Sequence, residues 1–307
     1  MPRLDPLKEK YGELFREEDP LARYTVARLG GPAEGVLRVK TKNDLLWVMH
    51  WVSLEDIPWI ILGGGANVLA SDAGFRGLVI INQARGVTFE SDPGFVRAES
   101  GVNLSTLARQ CMSAGLAGLE WSVSVPGSVG GAVVNNAGAH DGDTAGCLAD
   151  AEILDLQTDG LSIMGAEFLD YDYRYSKLKA TPGRYVVISA RFKLEPGHNP
   201  SELNAKADEF VAHRKKTQPP GASLGSMFKN PPGDYAGRLI EAAGLKGHQI
   251  GGVQISPLHG NFFVNVGGGT AADYGALIEL AQRTVQKQFG IALELEIERV
   301  GDWDNLG

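Results

Sequence analysis

Only two cysteines, Cys111 and Cys147, occur in the 307 residues, and neither belongs to a Cys-x-x-Cys pair. A disulfide framework and a structural zinc are both disfavoured, because each needs ligands at characteristic short spacing, and two buried free thiols are expected. The six histidines, His50, His140, His198, His213, His248 and His259, show no H-E-x-x-H or other ligand spacing, so no metal is expected. Basic residues are outnumbered, 29 Lys and Arg against 37 Asp and Glu for a net charge of -8, and they form no dense block. Phosphate backbones and anionic lipid are bound by clustered cations, which argues against nucleic-acid and membrane-surface partners. No run approaches 18 uninterrupted apolar residues, and the first 25 positions carry charges without an apolar h-region. Neither membrane insertion nor export is expected, and the reading is a cytoplasmic protein. The phosphate-loop sequence G-x-x-x-x-G-K-[ST] is missing as well.

Glycine, by contrast, is abundant: 40 in 307 residues is about 13%, against a usual figure of about 7%. The length suits two or three compact units with cores that need no covalent staples.

Apolar periodicity and capping residues give an α+β order of elements. Asp5 caps a helix that starts at Pro6, with Leu7, Tyr11, Leu14 and Phe15 on one side. Thr41 and Asp44 form a capping pair ahead of Leu45, Leu46, Val48 and Met49, and the run 57–62 reads as a buried strand that ends in glycines. Further strands are expected at 78–81, 87–89 and 95–98, and Asn103 caps a helix over 104–114 closed by Gly115. Asp159-Gly160, between the runs 153–156 and 161–164, signals a type I′ hairpin. A β-rich run over 185–194 is broken by Pro196, Gly197, Asn199 and Pro200 before a polar helix over 201–214, and the main domain boundary is expected there. A helix near 236–243 ends at Gly244. Thr270 with Asp273 caps another, whose stripe is Tyr274, Leu277, Ile278, Ala281, Val285 and Phe289 before Gly290. Leu293, Leu295 and Ile297 alternate with Glu294, Glu296 and Glu298, which predicts a last strand with a carboxylate face.

Gly63, Gly64, Gly65, Ala66, Asn67 and Val68 follow the apolar strand, where residues without Cβ let backbone N–H groups close around a phosphate. Val68 stands where the third glycine of G-x-G-x-x-G would be, so this is not the dinucleotide fingerprint. A second cluster, Pro126, Gly127, Ser128, Val129, Gly130, Gly131 and Ala132, opens an apolar segment and would set a helix N-terminus against the same diphosphate. Either alone is also what a tight turn requires; the two together point to a large phosphorylated ligand.

Gly221-Ala222-Ser223-Leu224-Gly225 matches the G-x-S-x-G nucleophile elbow and would make Ser223 a hydrolase nucleophile, with Glu241 and His248 or His259 as partners. Pro219-Pro220 stands where the elbow's central strand should run, which disfavours it. Ser226 lies close to Lys229 and Asn230, a grouping that either positions a proton donor beside an anionic substrate or caps a loop turn. Arg174, between Tyr173 and Tyr175, has the fork that grips a carboxylate, with surface cation–π packing the alternative. Glu296 alone reads as a solvent-facing strand carboxylate.

In order along the chain stand residues 25–33 (TVARLGGPA), 62–77 (LGGGANVLASDAGFRG), 118–138 (GLEWSVSVPGSVGGAVVNNAG), 173–176 (YRYS) and 225–231 (GSMFKNP). Residues 236–241 (AGRLIE), 244–247 (GLKG), 259–265 (HGNFFVN) and 293–301 (LELEIERVG) follow. This ordered set resembles the UDP-N-acetylenolpyruvoylglucosamine reductases, the MurB family of flavoenzymes of bacterial peptidoglycan synthesis. The resemblance implies a bipartite FAD-binding region of the vanillyl-alcohol-oxidase type over 1–196, with a smaller lobe to about residue 80 and a larger one over 81–196. A substrate-binding domain over 197–307 would close over the substrate. It implies non-covalent FAD with its diphosphate on the two glycine clusters, NADPH as hydride donor, and UDP-N-acetylglucosamine enolpyruvate as substrate. The family's catalytic positions fall on Arg174, which would polarise the substrate carboxylate, Ser226, which would protonate C2, and Glu296, which would assist. Tyr173, Lys229 and Asn230 match positions near the substrate. Ala27, Asn135 and His140 depart from the family's usual aromatic residue, methionine and tyrosine, and there is no room for a long tyrosine-bearing insertion. The chain thus resembles the shorter, second subclass, and a monomer is expected. Another flavin-dependent oxidase or dehydrogenase of the superfamily, the Ser223 hydrolase and a non-catalytic nucleotide-sugar binder are the competing readings.

Overall fold

A computed structural model describes residues 2–303. The chain packs into two compact units: residues up to 15, 37–64 and 79–213 form the first, and 16–36, 65–78 and 214 onward form the second.

The first unit is built on a five-stranded antiparallel sheet in the order Gly160–Gly165, Leu148–Asp155, Tyr185–Lys193, Phe95–Glu99, Val87–Phe89. Alternation decides its faces. Val96, Ala98, Ala151, Ile153, Ala190 and Phe192 point into the core, while Arg97, Asp150 and Arg191 pair on the other side at 3.0 and 3.5 Å. Helix Leu104–Ser113 covers the apolar side through Leu104, Leu107, Ala108 and Cys111, and Asn103 caps it by accepting the Thr106 N–H at 2.9 Å. Cys111 and Cys147 are both buried and free, and burial pushes each thiol up to about 12.

Three expectations are adjusted here. Asp5 is the first residue of helix Asp5–Tyr11 and not its cap, and Phe15 leaves the helix stripe to open strand Phe15–Pro20. The hairpin after Asp155 is real, but its register pairs Asp155 with Gly160, so residues 156–159 form a four-residue loop in place of a two-residue type I′ turn. Asp159 is left-handed there, at φ 52°. The first unit also runs past the boundary expected at 196–197, because helix Pro200–Thr217 buries Leu203 and Ala207 in its core. Buried Glu120 ties that helix down, accepting the Gly118 N–H at 2.6 Å and facing Lys206 Nζ at 3.5 Å.

Strands Phe15–Pro20, Pro32–Val39, Phe75–Asn82 and Trp59–Leu62 form, in that order, a four-stranded sheet. Helix Lys42–Leu54 precedes Trp59–Leu62 and is capped as expected, Thr41 accepting the Asp44 N–H at 3.1 Å.

The second unit holds an antiparallel sheet in the order Ala222–Ser226, Phe262–Asn265, Val253–Ile255, Gln249–Ile250. Helix Ala271–Phe289 packs on it through Tyr274, Leu277, Ile278, Ala281 and Val285 of the expected stripe, while Phe289 at its end is exposed. Thr270 and Asp273 form a capping box, and Asp72 adds a second cap from far along the chain, its carboxylate accepting the Ala271 and Ala272 N–H groups at 2.9 Å each. Val68–Ala70 pairs in parallel with Glu298–Val300. The last strand is therefore shorter than its alternation suggested: Leu293 and Ile297 are buried and Leu295 forms an isolated bridge with Phe228, and only Glu298–Val300 enters a ladder. Among the described residues no helix is long and apolar enough to cross a membrane.

Candidate active site

Strand Trp59–Leu62 delivers Gly63 and Gly64 directly to the second glycine cluster. A Cβ on Gly63 would run into the Ser128 side chain, and one on Gly64 would lie 3.0 Å from Gly127 Cα. Glycine is required because Gly63 meets the Ser128 side chain and Gly64 the Gly127 backbone. Gly63 and Gly64, remote in the sequence from Gly127 and Ser128, are thus brought against them within the first unit.

Ser128 caps helix Val129–Asn135 and accepts the Gly131 N–H at 3.3 Å. The Val129 N–H donates to Val102 O at 2.9 Å and the Gly130 N–H to Ser100 O at 2.8 Å. Gly130, Gly131 and buried Ala132 therefore build the helix start, and the donors this segment can offer an anion lie just ahead of it, at Gly127 and Ser128. Two glycine-walled loops in contact fit a diphosphate, which needs close backbone approach more than side-chain charge.

Arg174 sits at the left-handed corner of a tight turn, φ 53°, closed by the Tyr175 N–H on Asp172 O at 3.1 Å. Its guanidinium donates to Gly138 O at 2.7 Å and Asn136 O at 3.4 Å and lies 5.2 Å from the ring centre of exposed Tyr173. The head is thereby fixed to the loop that leaves helix Val129–Asn135. Asn135 and His140, in the same region, are both engaged: Asn135 accepts from Lys179 Nζ at 2.9 Å, and the His140 ring stacks on Phe210 at 4.2 Å.

In the second unit, Ser226 ends strand Ala222–Ser226 just after Gly225, whose φ of 78° turns the chain at a bulge in the ladder. Beyond it the backbone is clamped from two sides. The Met227 N–H donates to Asn261 O at 2.8 Å, and the buried Asn261 amide both accepts the Phe228 N–H at 2.9 Å and donates to Phe228 O at 2.8 Å. On the other side the Glu296 N–H donates to Met227 O at 3.0 Å and the Lys229 N–H to Glu294 O at 2.8 Å. Ser226 and half-buried Glu296 thus ride on bonded backbone.

Lys229 and Asn230 have local partners. Lys229 Nζ pairs with Glu294 at 2.6 Å, and Asn230 Oδ1 accepts the Ala236 N–H at 3.1 Å, capping helix Ala236–Ala242. In the first glycine cluster, Gly65 O accepts the Val26 N–H at 3.0 Å, and Val68 lies in the parallel ladder. The Asn67 amide donates to Glu296 O at 3.2 Å, and its carbonyl accepts the Glu298 N–H at 2.9 Å. Asn261 and the side-chain role of Asn67 were not legible beforehand; the only signal was an asparagine interrupting a β-like run.

Ser223 does not occupy a strand-to-helix elbow. It pairs with Val264 inside the strand, so the hydrolase geometry is absent. His259 is committed elsewhere: its Nδ1 accepts the Asn261 N–H at 3.2 Å, and burial, aided by Lys246, holds its pKa below the ordinary range.

Residues 33–158 match the model of an FAD binding domain, and residues 216–300 match that of the C-terminal domain of UDP-N-acetylenolpyruvoylglucosamine reductase. The chain is similar to the UDP-N-acetylenolpyruvoylglucosamine reductase of Synechococcus sp. (strain CC9311), 42% identical over 294 residues and 94% of each chain. It is likewise 43% identical over 288 residues to that of Rubrobacter xylanophilus, covering 93% of this chain and 95% of that one. The crystal structure of the reductase from Thermus caldophilus superposes with a TM-score of 0.78 at 35% identity, over 93% of this chain and 99% of the other.

Proposed function

The chain belongs to the UDP-N-acetylenolpyruvoylglucosamine reductase family, and from that premise we propose that it reduces UDP-N-acetylglucosamine enolpyruvate to UDP-N-acetylmuramate for peptidoglycan synthesis. It is an FAD-containing oxidoreductase. When bound, FAD would supply, after reduction by NADPH, the hydride for C3 of the enolpyruvyl group. We read the reaction as cytoplasmic, since its two substrates would be a nucleotide sugar and NADPH.

Backbone N–H groups of Gly63, Gly64, Gly65 and Ala66 and of Gly127 and Ser128 would hold the diphosphate of the cofactor. Pro126 shapes the approach, and Gly130, Gly131 and Ala132 set the helix start behind it. Hydride addition at C3 leaves an electron pair at C2, conjugated with the carboxylate. Arg174 takes that carboxylate with a guanidinium already oriented by two carbonyls, so little reorganisation accompanies the developing charge. Ser226 Oγ donates the proton to C2, and Glu296 assists from the other side with Arg174. A serine hydroxyl is a weak acid and serves here because the carbanion it meets is strongly basic. Tyr173, Lys229 and Asn230 lie along the substrate.

The observation that carries this reading is the 3.0 Å bond from the Glu296 N–H to the carbonyl of Met227, the residue after Ser226. It makes a hydroxyl and a carboxylate, far apart in the sequence, parts of one support. The test is the anaerobic visible spectrum. Bleaching by NADPH followed by recovery on adding the enolpyruvyl sugar is expected. Bleaching without recovery would reject the substrate, and a colourless protein that cannot be reconstituted with FAD would reject the cofactor.

A further inference from the structure

Both backbone polar groups of Glu296 are held, from different directions. Its N–H is bonded to Met227 O at 3.0 Å, and its C=O accepts from Asn67 Nδ2 at 3.2 Å. With both flanking peptide planes anchored, the direction of the Cα–Cβ bond is set. The parallel ladder of Val68–Ala70 with Glu298–Val300 does not reach that far: its outermost backbone bond joins the Glu298 N–H to Asn67 O at 2.9 Å. The Asn67 amide adds one more rung by side chain, two residues further along. Asp72 anchors the same stretch at its far end by capping helix Ala271–Phe289.

We propose that Asn67 is a positioning residue for the oxidative half-reaction: its amide aims Glu296, and it does not bind the cofactor by its side chain. Gly65 and Ala66 immediately precede it, so seating a diphosphate on the glycine loop and aiming the Glu296 carboxylate are linked through one residue. This rests on the reading of Glu296 as a participant in the reaction, proposed above. An alanine keeps the Asn67 backbone, and with it the Glu298 bond, while deleting only the rung to Glu296. Aspartate keeps the shape but offers an acceptor where a donor is needed.

The experiment compares N67A, N67D and E296Q by flavin content, melting temperature and rapid-mixing rates of the two half-reactions. N67A and N67D are expected to retain stoichiometric FAD and to be reduced by NADPH within about twofold of the parent. Reoxidation by the enolpyruvyl sugar should slow by up to about 100-fold, the cost a misplacement of about 1 Å can reach. A merely structural asparagine would move the melting temperature and both rates together, and that result overturns the proposal. So does loss of FAD in proportion to loss of rate, which would make Asn67 a cofactor ligand, and so does an unchanged reoxidation rate in N67A. E296Q separates the levels: slow E296Q with normal N67A removes the Asn67 role alone, whereas E296Q that reoxidises at full rate removes the Glu296 reading and the proposal with it.

Discussion

Asn261 satisfies both the N–H and the C=O of Phe228 with one side-chain amide, at 2.9 and 2.8 Å, and so does for the segment after Ser226 what a neighbouring β-strand would do. The ladder shifts register between Ser223 and Ser226, resumes with Ser226 opposite Phe262 and the Met227 N–H on Asn261 O, and is continued at Phe228 by the Asn261 side chain.

Replacing it should therefore cost stability as well as activity. Asn261→Ala orphans a buried donor and a buried acceptor, at about 1–3 kcal/mol for each. Scanning calorimetry is expected to show a lower melting temperature, with reoxidation by the enolpyruvyl sugar impaired in whatever remains folded. An unchanged melting temperature would mean that the Phe228 groups find other partners.

Ser226→Ala isolates the proton transfer. A positioned general acid contributes about 10²- to 10⁴-fold, and the reoxidation rate should fall by that much while flavin content and reduction by NADPH persist. Full turnover in this variant would remove Ser226 from the mechanism.

The contact between the glycine loops can be tested by a pair of substitutions. Gly63→Ala drives a Cβ into the Ser128 side chain, and the purified variant should carry little FAD. Ser128→Gly deletes the atoms it meets at a cap cost of only a few tenths of a kcal/mol. The double variant should regain FAD relative to Gly63→Ala. If it stays colourless, the clash is not what excludes the cofactor.

Glu120 makes the first unit acid-sensitive. Burial pushes its carboxyl up, but the Glu120 and Gly118 N–H groups and Lys206 outweigh burial and hold its pKa below the ordinary range. A carboxyl depressed on folding contributes stability that is present above its unfolded pKa, about 4.3, and is lost as pH falls through the lower folded value. The advantage of the parent over Glu120→Gln in melting temperature should be full at pH 7 and shrink below pH of about 4. A gap that stays constant down to the acid transition would contradict the depressed carboxyl.

Much of the architecture was legible residue by residue. Thr41, Asn103 and Thr270 each cap the helix that follows, because an N-cap is a local bond spanning three residues and its chemistry is written in adjacent letters. The stripe from Tyr274 to Val285 is likewise a local periodicity that survives into the core. The alternation over 293–298 misled for the complementary reason. Period two reports which side chains are buried, and Leu293 and Ile297 are buried, but it does not say whether a partner strand runs alongside. The Asp159-Gly160 signal found the hairpin and missed its length, since register was settled by the pairing of Leu148–Asp155 with both neighbours.

The sequence by itself determined the α+β class, the caps at Thr41, Asn103 and Thr270, the two glycine clusters and the identity of the chemical groups, because composition, caps and motif spacing are local properties. Only the tertiary structure decided that Gly63 meets Ser128, that Glu296 hangs on Met227 beside Ser226, and that Asn67 turns its amide to Glu296. Those are contacts between residues remote in the chain, selected by packing whole elements against one another, and no short-range pattern encodes them.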